Sequence, residues 1–308
     1  RGRALAPGGH PPPGSPVPGS GPLFPFVAYG GHAETEPIAL DEVRRLAHEH
    51  NPPLIVAGYS AYSRFIDWAA FRAIADEVGA IFLVDAAHII GLIAGSAHPN
   101  PVPHADIVTA TTHKALRGPR GGLILCREGF AKAIDKAVFP FAQGGPINSQ
   151  IAAKALCFEQ AGRAEFKTYA NQIVRNAKVL AGAMDDEGLR VISGGTENHM
   201  FLVDLRSIDA ELTGKEASQF LDAHGVTLNR NAIPFDPRSP FITSGLRLGT
   251  PSVTSAGMMQ EQMVLLGKLI VELLRKRIDP FSVNLYTEQV RELAEAFPAY
   301  PDDFPGHA

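Results

Sequence analysis

Cysteine is scarce in this chain. Its 308 residues carry two, Cys126 and Cys157, both set among apolar neighbours. Buried free thiols in a reducing compartment are the expectation for such a pair, in preference to a disulfide. Surplus charge is missing as well: 28 Lys and Arg stand against 32 Asp and Glu, which leaves no electrostatic footprint for nucleic acid. No apolar stretch approaches the length of a membrane span, and no apolar h-region marks a secretory leader. These absences point to a cytoplasmic protein without nucleic-acid or membrane partners. What remains is an ordinary globular balance, 45% hydrophobic and 19% charged. The length supports one large or two medium domains with a sizeable core.

Proline and glycine crowd residues 1–30, which are expected to be mostly irregular. Residues 38–47 have apolar positions at helical spacing, and Leu54-Ile-Val-Ala57 reads as a short buried strand. Asp67 is placed to cap a helix that runs through Val78 and stops at Gly79. Strands are expected over 80–84, 106–110 and 122–126. All-apolar strands alternating with helices indicate a parallel or mixed sheet covered on both faces, with ligands at the strand carboxyl ends. From Ile151 a helical pattern runs toward Gly188, broken near Gly162. Beyond it come a strand over 201–205, a helix over 213–224 ending at Gly225, a short strand at Gly245–Gly249 and an amphipathic stretch over 257–276. This alternation reads as a smaller α+β domain. The division is expected near residue 165, giving a large domain over 1–165 and a small one over 166–308.

The richest run is Asp106-Ile-Val-Thr-Ala-Thr-Thr-His-Lys114-Ala-Leu-Arg-Gly-Pro-Arg120-Gly-Gly-Leu-Ile-Leu-Cys126. A β-branched strand leads into a lysine, and a glycine-rich turn and another apolar strand follow. A lysine desolvated at a strand exit has a lowered pKa and becomes a nucleophile toward an aldehyde. The preceding strand ends in Asp85, with His88 three residues on. An acid at one strand end and a lysine at the next is the layout a pyridoxal phosphate site needs, the lysine making the Schiff base and the acid holding the ring nitrogen protonated. Taken singly, each residue has a plainer reading: a surface lysine in a turn, a helix-capping aspartate, a satisfied polar histidine.

Together the motifs resemble serine hydroxymethyltransferase. The resemblance is carried by Val84-Asp85-Ala-Ala-His88-Ile-Ile-Gly91 and Thr111-Thr-His113-Lys114. It continues through Gly8-Gly-His10, Gly58-Tyr-Ser60-Ala-Tyr62, Val138-Phe-Pro140, Gln143-Gly-Gly-Pro146 and Ser193-Gly-Gly-Thr-Glu-Asn-His199. Leu212-Thr-Gly-Lys-Glu216 and Thr243-Ser-Gly-Leu-Arg247-Leu-Gly-Thr-Pro251 complete it. The ordered set covers nearly the whole chain.

This resemblance implies an α/β fold of the aspartate-aminotransferase-like, fold type I class, with a large mixed-sheet domain and a smaller C-terminal α+β domain. It implies pyridoxal 5'-phosphate as cofactor and tetrahydrofolate as co-substrate, in the reversible transfer of the serine hydroxymethyl group to give glycine and methylenetetrahydrofolate. No metal is implied, and a homodimer or dimer of dimers is. By the same resemblance Lys114 forms the internal aldimine, with Thr111 and His113 around it. Asp85 pairs with the ring nitrogen, His88 and Ser60 lie near the phenolic oxygen, and His10 stacks on the ring. Gly144 and Gly145 belong to a loop that reaches a neighbouring subunit's cofactor phosphate. Arg247 clamps the substrate carboxylate with a bidentate fork, and Asn231 contacts the pterin.

Folate contacts fall around Leu5, Gly9 and Pro11. There the family's usual Leu-Thr-His-Gly run is replaced by Pro11-Pro-Pro-Gly14, which removes backbone donors and a second histidine. The family's glutamate for the one-carbon step and its Ser-Gly-Ser phosphate loop have no counterpart on this chain. Its start at Arg1 is therefore read as the loss of a natural N-terminal portion, with little activity expected of the chain alone. Two other readings remain open: a folate-independent aldolase of β-hydroxy amino acids, and a non-catalytic fragment serving as an interaction or structural protein.

Overall fold

The computed structural model describes residues 4–7, 25–31 and 37–300. They divide into two compact units. The first takes in residues 4–7, 25–31, 37–60 and 65–170, and the second takes in 61–64 and 171–300.

The first unit begins with β1 (Ala4–Pro7), β2 (Phe26–Tyr29), α1 (Leu40–His50), β3 (Leu54–Ala57), α2 (Trp68–Val78) and β4 (Ile81–Asp85). It continues with α3 (Ile90–Ala94), β5 (Ile107–Thr111), β6 (Gly122–Cys126), α4 (Glu128–Lys136), a π-helical segment (Ala137–Ala142) and α5 (Asn148–Ala161). Its six strands form one sheet in the order β2-β1-β3-β4-β5-β6. The first five are mutually parallel and β6 runs antiparallel to β5. The strand order therefore reverses between β1 and β3, and in open α/β sheets ligands bind outside the carboxyl ends at such a reversal.

Local chemistry accounts for the best-defined helix. Asp67 accepts the Ala70 N–H at 2.9 Å, and Gly79 closes α2 in the left-handed conformation at φ 68°. The apolar stripe of α2 buries Trp68, Phe71, Ile74 and Ala75. Phe71 stacks on Phe82 of β4 with ring centroids 5.8 Å apart. Ile55, Val84 and Leu92 complete a core from which solvent is excluded.

The second unit holds most of α6 (Ala164–Asp186), then β7 (Arg190–Val191), β8 (Met200–Asp204), α7 (Gly214–Ala223), β9 (Asn229–Asn231) and β10 (Gly245–Gly249). It ends with α8 (Pro251–Ser255), α9 (Gln260–Lys276) and α10 (Pro280–Ala296). Its sheet is antiparallel throughout, in the order β7-β8-β10-β9. One face, with Phe201, Val203, Leu246 and Leu248, joins a core that includes Leu221, Met263, Ile270 and Leu273. The short segment 61–64 is tied in through its backbone carbonyls: the Asn198 side-chain amide donates to the Tyr62 carbonyl at 2.7 Å and the Glu197 N–H to the Ser63 carbonyl at 2.7 Å.

The α/β class and the mixed sheet agree with the expectation from sequence. Every strand and helix anticipated between residues 38 and 276 is present within a few residues, and Gly162 separates α5 from α6. Within the region expected to be mostly irregular, the described residues include two strands not anticipated from sequence, β1 and β2. Ala4-Leu-Ala-Pro7 has little intrinsic strand preference, and its pairing with both β2 and β3 supplies what propensity lacks. Both cysteines are free thiols. Cys157 is buried, which pushes its thiol pKa up, and Cys126 is half-buried. No helix among the described residues is long and apolar enough to cross a membrane.

Candidate active site

Three neighbouring parallel strands of the first unit deliver polar residues at their carboxyl ends. Ser60 follows β3, Asp85 closes β4 with His88 beyond it, and Thr111 closes β5 with His113 and Lys114 beyond it. The strand ends are cross-tied. Ala86 N–H donates to the Thr109 carbonyl at 2.8 Å, and the Thr111 hydroxyl donates to the Ala87 carbonyl at 3.2 Å. The β3 exit presses equally close. Gly58 holds φ 132°, and a Cβ there would stand 2.1 Å from the Asp85 carbonyl oxygen, so only glycine fits.

The side chains at this rim are chemically varied. Asp85 is exposed, and one of its oxygens accepts the Ala87 N–H at 3.0 Å. That is the turn-capping contact of the plainer reading, and it leaves the second oxygen for other work. His88, His113 and Lys114 are half-buried. The Nδ1 atom of His113 is shielded from solvent without a hydrogen-bond partner among the described residues. A buried polar atom left unsatisfied is uncommon and marks a place where a further group belongs. An amine, a carboxylate, a hydroxyl and an unsatisfied imidazole at adjoining strand ends form a donor set that fits the aldehyde and ring of pyridoxal phosphate.

In the second unit Arg247 and Asn231 sit on adjacent strands. Gly245 is the register partner of Asn231 and lies two residues from Arg247, so Asn231 and Arg247 share one face of the sheet as diagonal neighbours. This is the face opposite Leu246 and Leu248, which point to the core. Burial pulls the Arg247 guanidinium below its ordinary pKa. Asn231 is buried, and its amide donates to the Ala232 carbonyl at 2.7 Å.

The anticipated residues thus fall into separate groups. Ser60, Asp85, His88, Thr111, His113 and Lys114 gather at one rim of the first sheet, while Arg247 and Asn231 share a face of the second. Gly144 and Gly145 are exposed in the connection before α5, with nothing within 4 Å of a Cβ at either. Leu5 lies in β1, with Val27 and Ile55 as register partners. Gly9, His10 and Pro11 lie outside the described residues.

Reading by motif passed over Thr112 and Gly91. The Thr112 side chain is fully buried, with its hydroxyl between the Pro119 carbonyl at 2.5 Å and the Gly121 carbonyl at 3.2 Å. A small glycine at a fixed place within the Asp85-to-Gly91 motif was the available signal for the second.

Residues 2–270 match the family model described as serine hydroxymethyltransferase. This span includes every rim residue of the first unit and both Arg247 and Asn231 of the second sheet. The chain belongs to the serine hydroxymethyltransferase family, enzymes that interconvert serine and glycine by hydroxymethyl transfer.

Proposed function

We propose that the chain moves the serine hydroxymethyl group to tetrahydrofolate, giving glycine and methylenetetrahydrofolate, with pyridoxal 5'-phosphate held at the rim of β3, β4 and β5. One observation carries this reading. Asp85 ends β4 and Lys114 follows the carboxyl end of β5, its hydrogen-bonded parallel neighbour, and the Thr111 hydroxyl ties those two ends together at 3.2 Å.

When bound, pyridoxal phosphate supplies an electron-poor ring that stabilises negative charge at the substrate Cα. The chain's own groups do the rest. The Lys114 amine would hold the cofactor through its aldehyde. The Asp85 carboxylate keeps a proton on the ring nitrogen. Ser60 and His88 are assigned to the phenolic oxygen, and Thr111 and His113 orient the lysine. In the second unit, the Arg247 fork receives the serine carboxylate and Asn231 receives the folate ring. The first unit would be the cofactor-binding large domain and the second the small domain.

We also propose a homodimer as the working form. Its support is a set of apolar side chains of the first unit that stand in solvent: Ile124 and Leu125 of β6, Phe139 and Phe141 of the π-helical segment, and Leu156 and Phe158 of α5.

The test is to incubate the full chain with pyridoxal phosphate, reduce with borohydride and map the modified peptide. Fixation on Lys114, abolished in Lys114→Ala, is expected. Fixation on another lysine rejects the assignment. Serine cleavage that proceeds equally well without tetrahydrofolate rejects the folate step.

A further inference from the structure

Lys114 lies three residues beyond the end of β5, so the strand alone does not fix its amine. We propose that Gly91 of α3 is a positioning residue for Lys114: the missing side chain of Gly91 lets the Lys114–Gly118 turn seat directly on α3, the element that also follows Asp85 and His88. This inference rests on the reading of Lys114 as the cofactor lysine.

Three sets of contacts define the seat. The first lies within the turn. Arg117 N–H donates to the Lys114 carbonyl at 2.9 Å, Gly118 N–H to the Thr112 carbonyl at 2.7 Å, and Thr112 N–H to the Gly121 carbonyl at 3.0 Å. Arg117 adopts φ 63°, unusual for a residue with a side chain, and its guanidinium lies 4.5 Å from the centre of the Tyr169 ring. The second set comes from α5. Cys157 donates its thiol to the Leu116 carbonyl at 3.5 Å, and a Cβ on Gly118 would stand 2.6 Å from the Cys157 sulfur. The third set comes from α3. A Cβ on Gly91 would stand 2.3 Å from both the carbon and the oxygen of the Ala115 carbonyl and 2.6 Å from the Leu116 nitrogen.

The third set decides the matter because it involves backbone. Ordinary contact begins near 3.4 Å, so a methyl at position 91 forces the Ala115–Leu116 peptide, one residue beyond Lys114, to withdraw by about 1 Å. That peptide cannot yield freely, since the turn bonds and Cys157 hold its neighbours. The displacement passes to the adjacent residue, Lys114. With the Thr111-to-Ala87 bond, the Gly91 contact sets the lysine in register with Asp85.

The experiment compares wild type, Gly91→Ala and Gly129→Ala in the full chain. Gly129 lies in α4, and a Cβ there meets nothing within 4 Å. Two readouts are followed: the rate at which Lys114 takes up pyridoxal phosphate, with the pH midpoint of the resulting visible absorbance, and amide hydrogen exchange in the peptide covering residues 112–121.

Gly91→Ala is expected to keep Lys114 as the modified residue, slow uptake by on the order of 10- to 100-fold, as misplacement by 1 Å can, move the midpoint, and speed exchange at Thr112 and Gly118. Gly129→Ala is expected to match wild type. Wild-type uptake, midpoint and exchange in Gly91→Ala overturn the proposal. Should Gly91→Ala fail to fold, exchange in wild type decides: the Thr112 and Gly118 amides, which donate within the seated turn, are expected to be strongly protected, and freely exchanging amides there overturn the proposal. Failure of wild type to modify Lys114 sinks the functional reading instead. The exchange comparison still decides whether Gly91 seats the turn.

Discussion

Arg247 is where a single side chain carries the most specific expectation. A lysine in its place offers one ammonium instead of a planar fork, and charge-assisted hydrogen bonds of this kind contribute about 1.5–3 kcal/mol. Arg247→Lys should therefore raise the serine KM or Kd by roughly tenfold or more, while folding, followed by urea denaturation, changes little. An unchanged serine affinity rejects the clamp.

Asp106 gives a residue-scale prediction about stability. Burial opposes its charged form, but the Phe82 N–H and Arg72, each at 2.8 Å, together with Arg127 outweigh that and hold its carboxyl below the ordinary value. A depressed folded-state pKa stabilises at pH above the unfolded value, near 3.9, and that contribution fades as pH falls through the folded value. Asp106→Asn should cost on the order of 1–3 kcal/mol at neutral pH. The gap between wild type and variant should narrow in urea titrations carried below about pH 4. A gap independent of pH contradicts the ion-pair account. Asp85 and Lys114 could be picked out from strand pattern and chemistry, because both close or follow apolar runs. The Arg72–Asp106–Arg127 cluster could not, since its members lie far apart in the chain and meet only in the fold.

Helix α7 shows at the element scale how neighbouring residues obey different rules. Thr213 caps it with a reciprocal capping box: the Thr213 hydroxyl accepts the Glu216 N–H and the Glu216 carboxylate accepts the Thr213 N–H. Thr213→Ala should lose about 1 kcal/mol, seen as a lower urea midpoint at constant slope. Gly214→Ala looks favourable by helix propensity, by close to 1 kcal/mol. The sign should reverse here, because a Cβ would stand 2.1 Å from the Thr243 hydroxyl and 2.5 Å from the Gly245 carbonyl of β10. A stabilised Gly214→Ala would show that this approach is softer than its geometry. Asp67 and Gly79 at the ends of α2 were readable from local sequence, as was the extent of α7 from Thr213. The close approach of β10 to Gly214 was not, because nothing within four residues of Gly214 encodes it.

At the scale of the molecule, the exposed apolar side chains of the first unit are the feature with the largest consequence. Ile124 and Leu125 are consecutive in β6, so they face opposite sides of the sheet, yet both are 43% exposed. In α4 and the π-helical segment no residue is buried, and Phe141 is 87% exposed. Exposed apolar side chains in this number on neighbouring elements of the first unit are the support for association. Sedimentation of the full chain should show a dimer or larger species, and Phe141→Asp combined with Leu125→Lys should shift it toward monomer. A monodisperse monomer in the parent rejects the homodimer proposal.

The strands and helices between residues 38 and 276 and the break at Gly162 were decided by the sequence, and so was the chemical type of Asp85, Lys114 and Arg247 on which their proposed roles rest. Each rests on interactions between residues close in the chain, or on a side-chain type that serves one purpose well. The strand order, the pairing that makes β1 and β2 strands, the diagonal of Arg247 and Asn231, and the close approach of the Ala115–Leu116 peptide to Gly91 came only from tertiary structure. Those depend on which backbones approach one another across many residues, and a glycine records that approach only as the absence of a side chain.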